Sequence, residues 1–236
     1  MRKNAAFAEK NGVLFYLDYP VTLPSLFYGD AYKTEEAADI LVSLILQETR
    51  NTASRKSIIL SAELSAEGVV IRFETTPTPT EQSLGLFNAA IHHILEGLRG
   101  EFNINGGTFI LNIPLKAAES PKQTFRLKGE NIVVISKTEF QKILVKKLKS
   151  LGAEVAAFAG SADIDGDFLR EKAFSAVFVE AEDSPALAVF IKSLAAVKRP
   201  PKCILMKRGV LPDVLKNLLP VVYSVNAANS EIKKML

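Results

Sequence analysis

A single cysteine, Cys203, in 236 residues excludes an intramolecular disulfide and a thiolate metal cluster, and a reducing, cytoplasmic setting follows. The two histidines, adjacent at His92 and His93, are too few for a zinc site. There is no tryptophan, there are five tyrosines, and the net charge of +3 is spread along the chain. The basic stripe and stacking aromatics of a nucleic-acid binder are therefore missing. No apolar run approaches the about 18 residues of a membrane span, and the opening Met1-Arg2-Lys3-Asn4-Ala5-Ala6 lacks the apolar stretch of a secretory signal. No membrane partner is expected for this stretch of protein. What is present, 48% apolar and 23% charged residues, is ordinary globular usage, which argues against disorder. The length allows one large domain or two small ones.

The polar stretch between Pro114 and Gly129, with Pro121 and no helical or alternating period, reads as a linker. It divides the chain into residues 1–116, a linker over 117–129, and residues 130–236. Upstream, Val13–Asp18, Ser57–Leu64, Val69–Glu74, Glu101–Asn105 and Thr108–Ile113 carry the β-branched and aromatic residues of strands. Gly68 and Gly106-Gly107 supply the turns of two antiparallel hairpins. Two helical stripes, Ala37, Ile40, Leu41, Leu44 and Ile45, then Phe87, Ala90, Ile91, Ile94, Leu95 and Leu98, predict helices covering one sheet face. His92 and His93 fall within the second, about 100° apart, so they cannot chelate one metal and are expected to flank its buried face.

Downstream, short apolar strands alternate with amphipathic helices. Strands are predicted at Ile132–Ile135, Val155–Phe158, Ala176–Val179, Cys203–Met206 and Val221–Val225, and helices at Phe140–Leu151, Ala186–Val197 and Val210–Leu219. Between Val155 and Ala176 the helical pattern is weak, with only Ile164, Phe168 and Leu169 apolar and Gly160 and Gly166 interrupting it. The chain is thus α/β: a mixed sheet with helices on one face, then a flavodoxin-like, doubly wound parallel sheet of five strands.

Leu23-Pro24-Ser25-Leu26-Phe27-Tyr28-Gly29-Asp30 leads through a short strand and a Gly-Asp pair into the first helix, and Gly107-Thr108-Phe109-Ile110-Leu111-Asn112-Ile113-Pro114-Leu115 is a closing strand. In these two stretches the first half resembles the ATP-binding domain of sensor histidine kinases, of the GHKL ATPase family. The second half resembles a response-regulator receiver domain, in the order of a hybrid histidine kinase.

The resemblance implies positions at which chemistry would be done. Where the family has a magnesium-binding Asn in its first helix, Ser43-Leu44-Ile45-Leu46-Gln47-Glu48 puts Gln47, one methylene too long for the tight octahedral geometry of magnesium. Ser43 replaces the earlier Asn. The Asp and two glycines that close on adenine align with Glu74, Thr76 and Thr78, whose side chains occupy space that glycine leaves open. The lid motif is reduced to Ser83-Leu84-Gly85-Leu86, keeping one phosphate-cradling glycine at a helix start, Gly85.

In the receiver-like half, Ser136 and Lys137 stand in place of the metal-binding acids, and Glu180 in place of the phosphoacceptor Asp. Lys207 replaces the hydroxyl after the fourth strand, and Asn226 is nearest to the Lys after the fifth. Adjacent strands one and three would bring Lys137 and Glu180 together as an ion pair filling the site.

These replacements imply a catalytically silent pair, a pseudokinase followed by a pseudoreceiver. It would act by contacts with kinase, receiver or phosphotransfer domains in a bacterial two-component or phosphorelay pathway, with no cofactor and no catalytic or metal-binding residue. The alternative is an active nucleotide-binding kinase domain using ATP and magnesium. A third reading makes the second half an unrelated flavodoxin-like binding domain, although Ser136-Lys137-Thr138-Glu139 lacks the glycines of such a turn. The chain is a monomer or a homodimer through a receiver face.

Overall fold

The structure, a computed structural model, describes residues 7–8, 10–20, 22–24, 26–49, 56–78, 81–118, 126–164, 168, 172–180, 185–197, 200–207 and 222–224. The chain divides into two compact units, Met1–Lys122 and Gln123–Leu236. The first contains β1 (Val13–Asp18), β2 (Phe27–Tyr28), α1 (Ala31–Thr49), β3 (Lys56–Leu64), β4 (Val69–Thr76), α2 (Glu81–Leu98), β5 (Glu101–Asn105), β6 (Thr108–Ile113) and β7 (Lys116–Ala117). Five strands form a sheet in the order β1-β3-β4-β6-β5. It is mixed: β1 runs parallel to β3, and the remaining pairs are antiparallel.

Alternation turns one set of side chains toward the helices, since successive strand residues point to opposite faces. Phe15, Ile58, Leu60, Val69, Ile71, Phe73, Phe109, Leu111 and Ile113 share one buried cluster with Ala37, Ala38, Leu41, Val42, Ile45 and Leu46 of α1 and Ile91, Leu95 and Leu98 of α2. The α1 positions recur at the spacing of a helical stripe, which is why this segment is a helix and why this side faces the sheet. Asp30 caps it, its carboxylate accepting the Lys33 N–H at 3.0 Å.

Immediately before that cap, β2 pairs antiparallel with β7, Phe27 opposite Ala117 and Tyr28 opposite Lys116. A β-carbon at Gly29 would lie 2.1 Å from Leu115 Cδ2, so glycine there makes room for Leu115. The segment leaving the first unit is therefore zipped to the head of α1. At the other end of the stretch read as a linker, Leu127 is buried and its N–H donates to the Leu151 carbonyl at 2.7 Å. Residues 119–125 lie outside the described residues.

The second unit contains β8 (Asn131–Ile135), α3 (Glu139–Ser150), β9 (Glu154–Phe158), β10 (Ala176–Glu180), α4 (Pro185–Ala195), β11 (Lys202–Lys207) and β12 (Val222–Ser224). Its five strands are parallel, in the order β9-β8-β10-β11-β12. Counted within this unit, that is the flavodoxin-like order 2-1-3-4-5. Val133, Ile135, Val177, Val179 and Leu205 pack against Leu187, Phe190, Ile191 and Leu194 of α4. The alternate residues Ile132, Val134, Phe178, Ile204 and Met206 are buried as well, as a parallel sheet covered on both faces requires.

Where the helical pattern was weak, the described residues contain a single 3-10 turn, Ser161–Asp163, and a helical Phe168. The Phe168 ring lies 5.3 Å from that of Phe158 and 5.1 Å from that of Phe174. The helix predicted at Val210–Leu219 lies outside the described residues.

Candidate functional site

All five strands of a parallel sheet end at the same edge, so residues distant in sequence converge there. Val179 is registered with Ile135, and one step further Glu180 comes opposite Ser136. Both are buried, Ser136 at 3% and Glu180 at 6% exposure. Ser136 Oγ donates to Glu180 Oε2 at 2.5 Å, and Thr138 Oγ1 donates to the same oxygen at 2.7 Å. Each hydroxyl has one proton to give, so both are spent on the carboxylate although the two oxygens are only 3.0 Å apart.

The clamp is built into the fold at both ends. Thr138 is the N-cap of α3, accepting the Phe140 N–H at 3.3 Å, and the Thr138 N–H itself donates to Ser136 Oγ at 3.1 Å. The Ser136 N–H donates to the Phe158 carbonyl, and Gln141 Nε2 spans the carbonyls of Ser136 and Phe158 at 2.9 and 2.7 Å. Strand ends β8, β9 and β10 are thus tied to the head of α3. The cleft they leave, lined by Ile135, Ser136, Ala159, Gly160, Ser161, Val179, Glu180 and Leu187, has a volume of about 20 Å³.

Lys137 is exposed, and its Cε passes 3.6 Å from where a β-carbon on Gly160 would be. Lys137 and Glu180 each make a further interaction within the chain. The Lys207 side chain and Asn226 lie outside the described residues.

The positions singled out in the first unit are not gathered in this way. Ser43 and Gln47 are exposed on α1. Glu74 and Thr76 are exposed on the sheet face turned away from the helices, whereas Thr75 between them is buried and donates through Oγ1 to the Gly107 carbonyl at 3.1 Å. The inward run Val69, Ile71, Phe73 carries the signal that identifies Thr75. Thr78 is exposed, and its Oγ1 lies 3.0 Å from where a β-carbon on Gly107 would be, so that glycine admits the close approach.

Gly85 does not precede a helix but is the fifth residue of α2, exposed and with open space around it. Its N–H therefore falls inside the i→i−4 ladder and not among the free donors of a helix start. Ser83 is the third residue of α2, and its side chain is outside the described set. His92 and His93 are exposed beside buried Ile91. Among the described residues no group of three or more His, Cys, Asp or Glu side chains is placed to hold a metal, and no helix is long and apolar enough to cross a membrane.

No protein-family model matches the chain, and no curated protein matches it. Among solved structures, it is similar over 99% of its length to full-length ShkA in complex with AMPPNP, at 14% identity and a TM-score of 0.64. The chain spans 54% of that protein, about half. It is also similar, over 45% of its length and 98% of the other's, to a CheY-like response regulator receiver domain from Methylobacillus flagellatus, at 12% identity and a TM-score of 0.38. A third similarity is to the histidine kinase AdeS of Acinetobacter baumannii, at 18% identity over 50% of this chain and 63% of that one, with a TM-score of 0.38. At these identities the likeness to ShkA speaks for the fold.

Proposed function

We propose that the chain is a catalytically silent signalling module of the hybrid histidine kinase kind, working by protein contacts in a two-component or phosphorelay pathway. The observation that carries this reading is the clamp on Glu180. Phosphoryl transfer to a carboxylate needs a metal ion to neutralise charge. Here Glu180 Oε2 accepts two hydroxyl protons, and the neighbours Ser136 and Thr138 bring no negative charge for a magnesium ion, which prefers carboxylate and phosphate oxygen. A cleft of about 20 Å³ holds little more than one water, which needs about 10–15 Å³.

The first unit supports the same reading. The residue of β4 that faces the helices beyond Phe73 is a neutral Thr75 already bonded to Gly107, and the acidic Glu74 faces away. Each lost hydrogen bond to a charged partner costs about 1.5–3 kcal/mol. Two such losses, about 4 kcal/mol together, move a micromolar nucleotide to millimolar.

The test is incubation of the full chain with radiolabelled acetyl phosphate and Mg²⁺, paired with calorimetric titration of ATP with and without Mg²⁺. No incorporation and no micromolar affinity are expected. Label on Glu180 would overturn the silent second unit, and micromolar, magnesium-dependent ATP binding would favour an active kinase domain instead.

A further inference from the structure

The first unit carries a cleft along α1 whose lining includes Ser43, one of the positions matched to a nucleotide site. It has a volume of about 500 Å³ and runs along α1 from Tyr32 to Leu44. Its described lining is Tyr32, Ile40 and Leu44 on the apolar side, with Glu35, Glu36, Asp39 and Ser43. From Tyr32 to Leu44 the helix rises about 18 Å, room for three turns of a second helix lying alongside. Exposed apolar surface concentrates at its head. Tyr32 is 76% exposed, and Tyr28 of β2 and Leu26 just before that strand are 69% and 58% exposed. These are three of the six large hydrophobic side chains exposed among the described residues. Apolar side chains left in water at this density mark a contact surface.

Charge says what kind of partner fits. The chain as a whole is cationic, +3, yet the side chains around this cleft include Glu35 and Glu36, both exposed, and Asp39, half-buried and bonded within the chain. Lys33 is the one cation in the α1 sequence, and its Nζ is turned to Gly97 of α2, 2.8 Å from where a β-carbon there would sit. The described rim is therefore acidic beside an apolar floor. A polyphosphate would meet repulsion here.

We infer that this face of α1 docks a basic amphipathic helix of a partner protein. Aliphatic side chains spaced three and four residues apart would lie between Tyr32, Ile40 and Leu44, and flanking Lys or Arg would meet Glu35 and Glu36. The inference rests on the part of that reading in which the first unit holds no nucleotide, but not on the chemical state of Glu180, so label on Glu180 would overturn the silent second unit and leave the inference standing.

The experiment uses the full chain and a fluorescein-labelled model peptide of Leu and Lys, about 18 residues long and amphipathic at helical spacing. Its controls are a sequence-scrambled peptide of the same composition and a Leu/Glu peptide of the same spacing. Anisotropy should report saturable binding of the first peptide alone, weakened about tenfold or more by Tyr32→Ala and by Glu35→Lys with Glu36→Lys. Glu67→Lys, an exposed charge on the β3–β4 turn, should leave it unchanged, and amide NMR shifts should fall within residues 26–47. These α1 side chains are exposed, so circular dichroism of the variants should match the parent. Equal binding of the scrambled or acidic peptide overturns the inference. So does displacement by ATP, which would make the cleft a nucleotide site, or self-association abolished by Tyr32→Ala, which would make it an interface between copies.

Discussion

The positions singled out by the resemblance are arranged differently in the two units. In the second, Ser136, Thr138 and Glu180 meet within hydrogen-bond distance and satisfy one another. In the first, Gln47 projects from a helix, Glu74 lies on the outer sheet face, and Gly85 is absorbed into α2. A parallel sheet delivers its strand ends to one edge whatever their side chains, so residues placed there must fit each other or leave a buried charge without partners, which is costly. A site assembled from a helix face, a strand end and a loop imposes no such demand.

Four measurements sharpen or break this contrast. The largest effects should come from the cores: Phe73→Ala and Phe178→Ala, both residues at 0% exposure, should each cost about 3–5 kcal/mol. Four of the five tyrosines, Tyr16, Tyr19, Tyr28 and Tyr32, belong to the first unit. Tyrosine emission during urea unfolding should therefore follow Phe73→Ala, while circular dichroism should respond to both variants. Identical shifts by both probes for both variants would mean that the units unfold as one.

Next in size is the thiol of the parallel sheet. Burial pushes Cys203 up from 9.0 to about 11, because a desolvated thiolate is disfavoured. Two units of pKa lower the thiolate fraction near neutral pH about a hundredfold, and alkylation by iodoacetamide should be slower by that order in the folded chain than in urea. The folded state holds the proton more tightly, so the stability this group contributes is present below pH 9 and is lost as pH rises through about 11.

Third, Ser136→Ala removes one donor from a buried carboxylate and should destabilise the second unit by about 1.5–3 kcal/mol in urea titrations. A change near zero would mean that the clamp is not holding Glu180. The smallest effects belong to the dispersed positions: Gln47→Ala and Glu74→Ala should stay within about 0.5 kcal/mol, and a larger loss would show that the first unit's positions are structurally engaged after all.

Much of the architecture is legible from periodicity alone, because the alternation of Val69, Ile71 and Phe73 and the helical stripe from Ala37 to Ile45 are long enough to count. The parallel order of the second unit follows from strands separated by helices. The site is less legible for specific reasons. Matching Glu74 to an acidic motif position favours charge over face, and the face decides, so Thr75 is the inward residue. Thr138 lies beyond the strand and reaches Glu180 only as the cap of α3, a position that strand pairing does not reveal. The two-residue ribbon β2–β7 is too short to have a period at all. Gly85 reads as a glycine at a helix start because glycine weakens helices by about 1 kcal/mol, a cost that the rest of α2 outweighs.

The contact between Gly29 and Leu115 bears on how much a motif can say. Gly29-Asp30 invites a nucleotide explanation, yet in this chain the glycine yields space to a side chain some eighty-six positions later, and the aspartate terminates a helix by bonding Lys33. Both residues have mechanical duties that a protein must keep whether or not it handles a phosphate. Their presence carries no information about catalysis, and a search for activity among relatives of this fold is better directed at residues like Thr75 and Ser136, which are buried at or beside the candidate positions themselves.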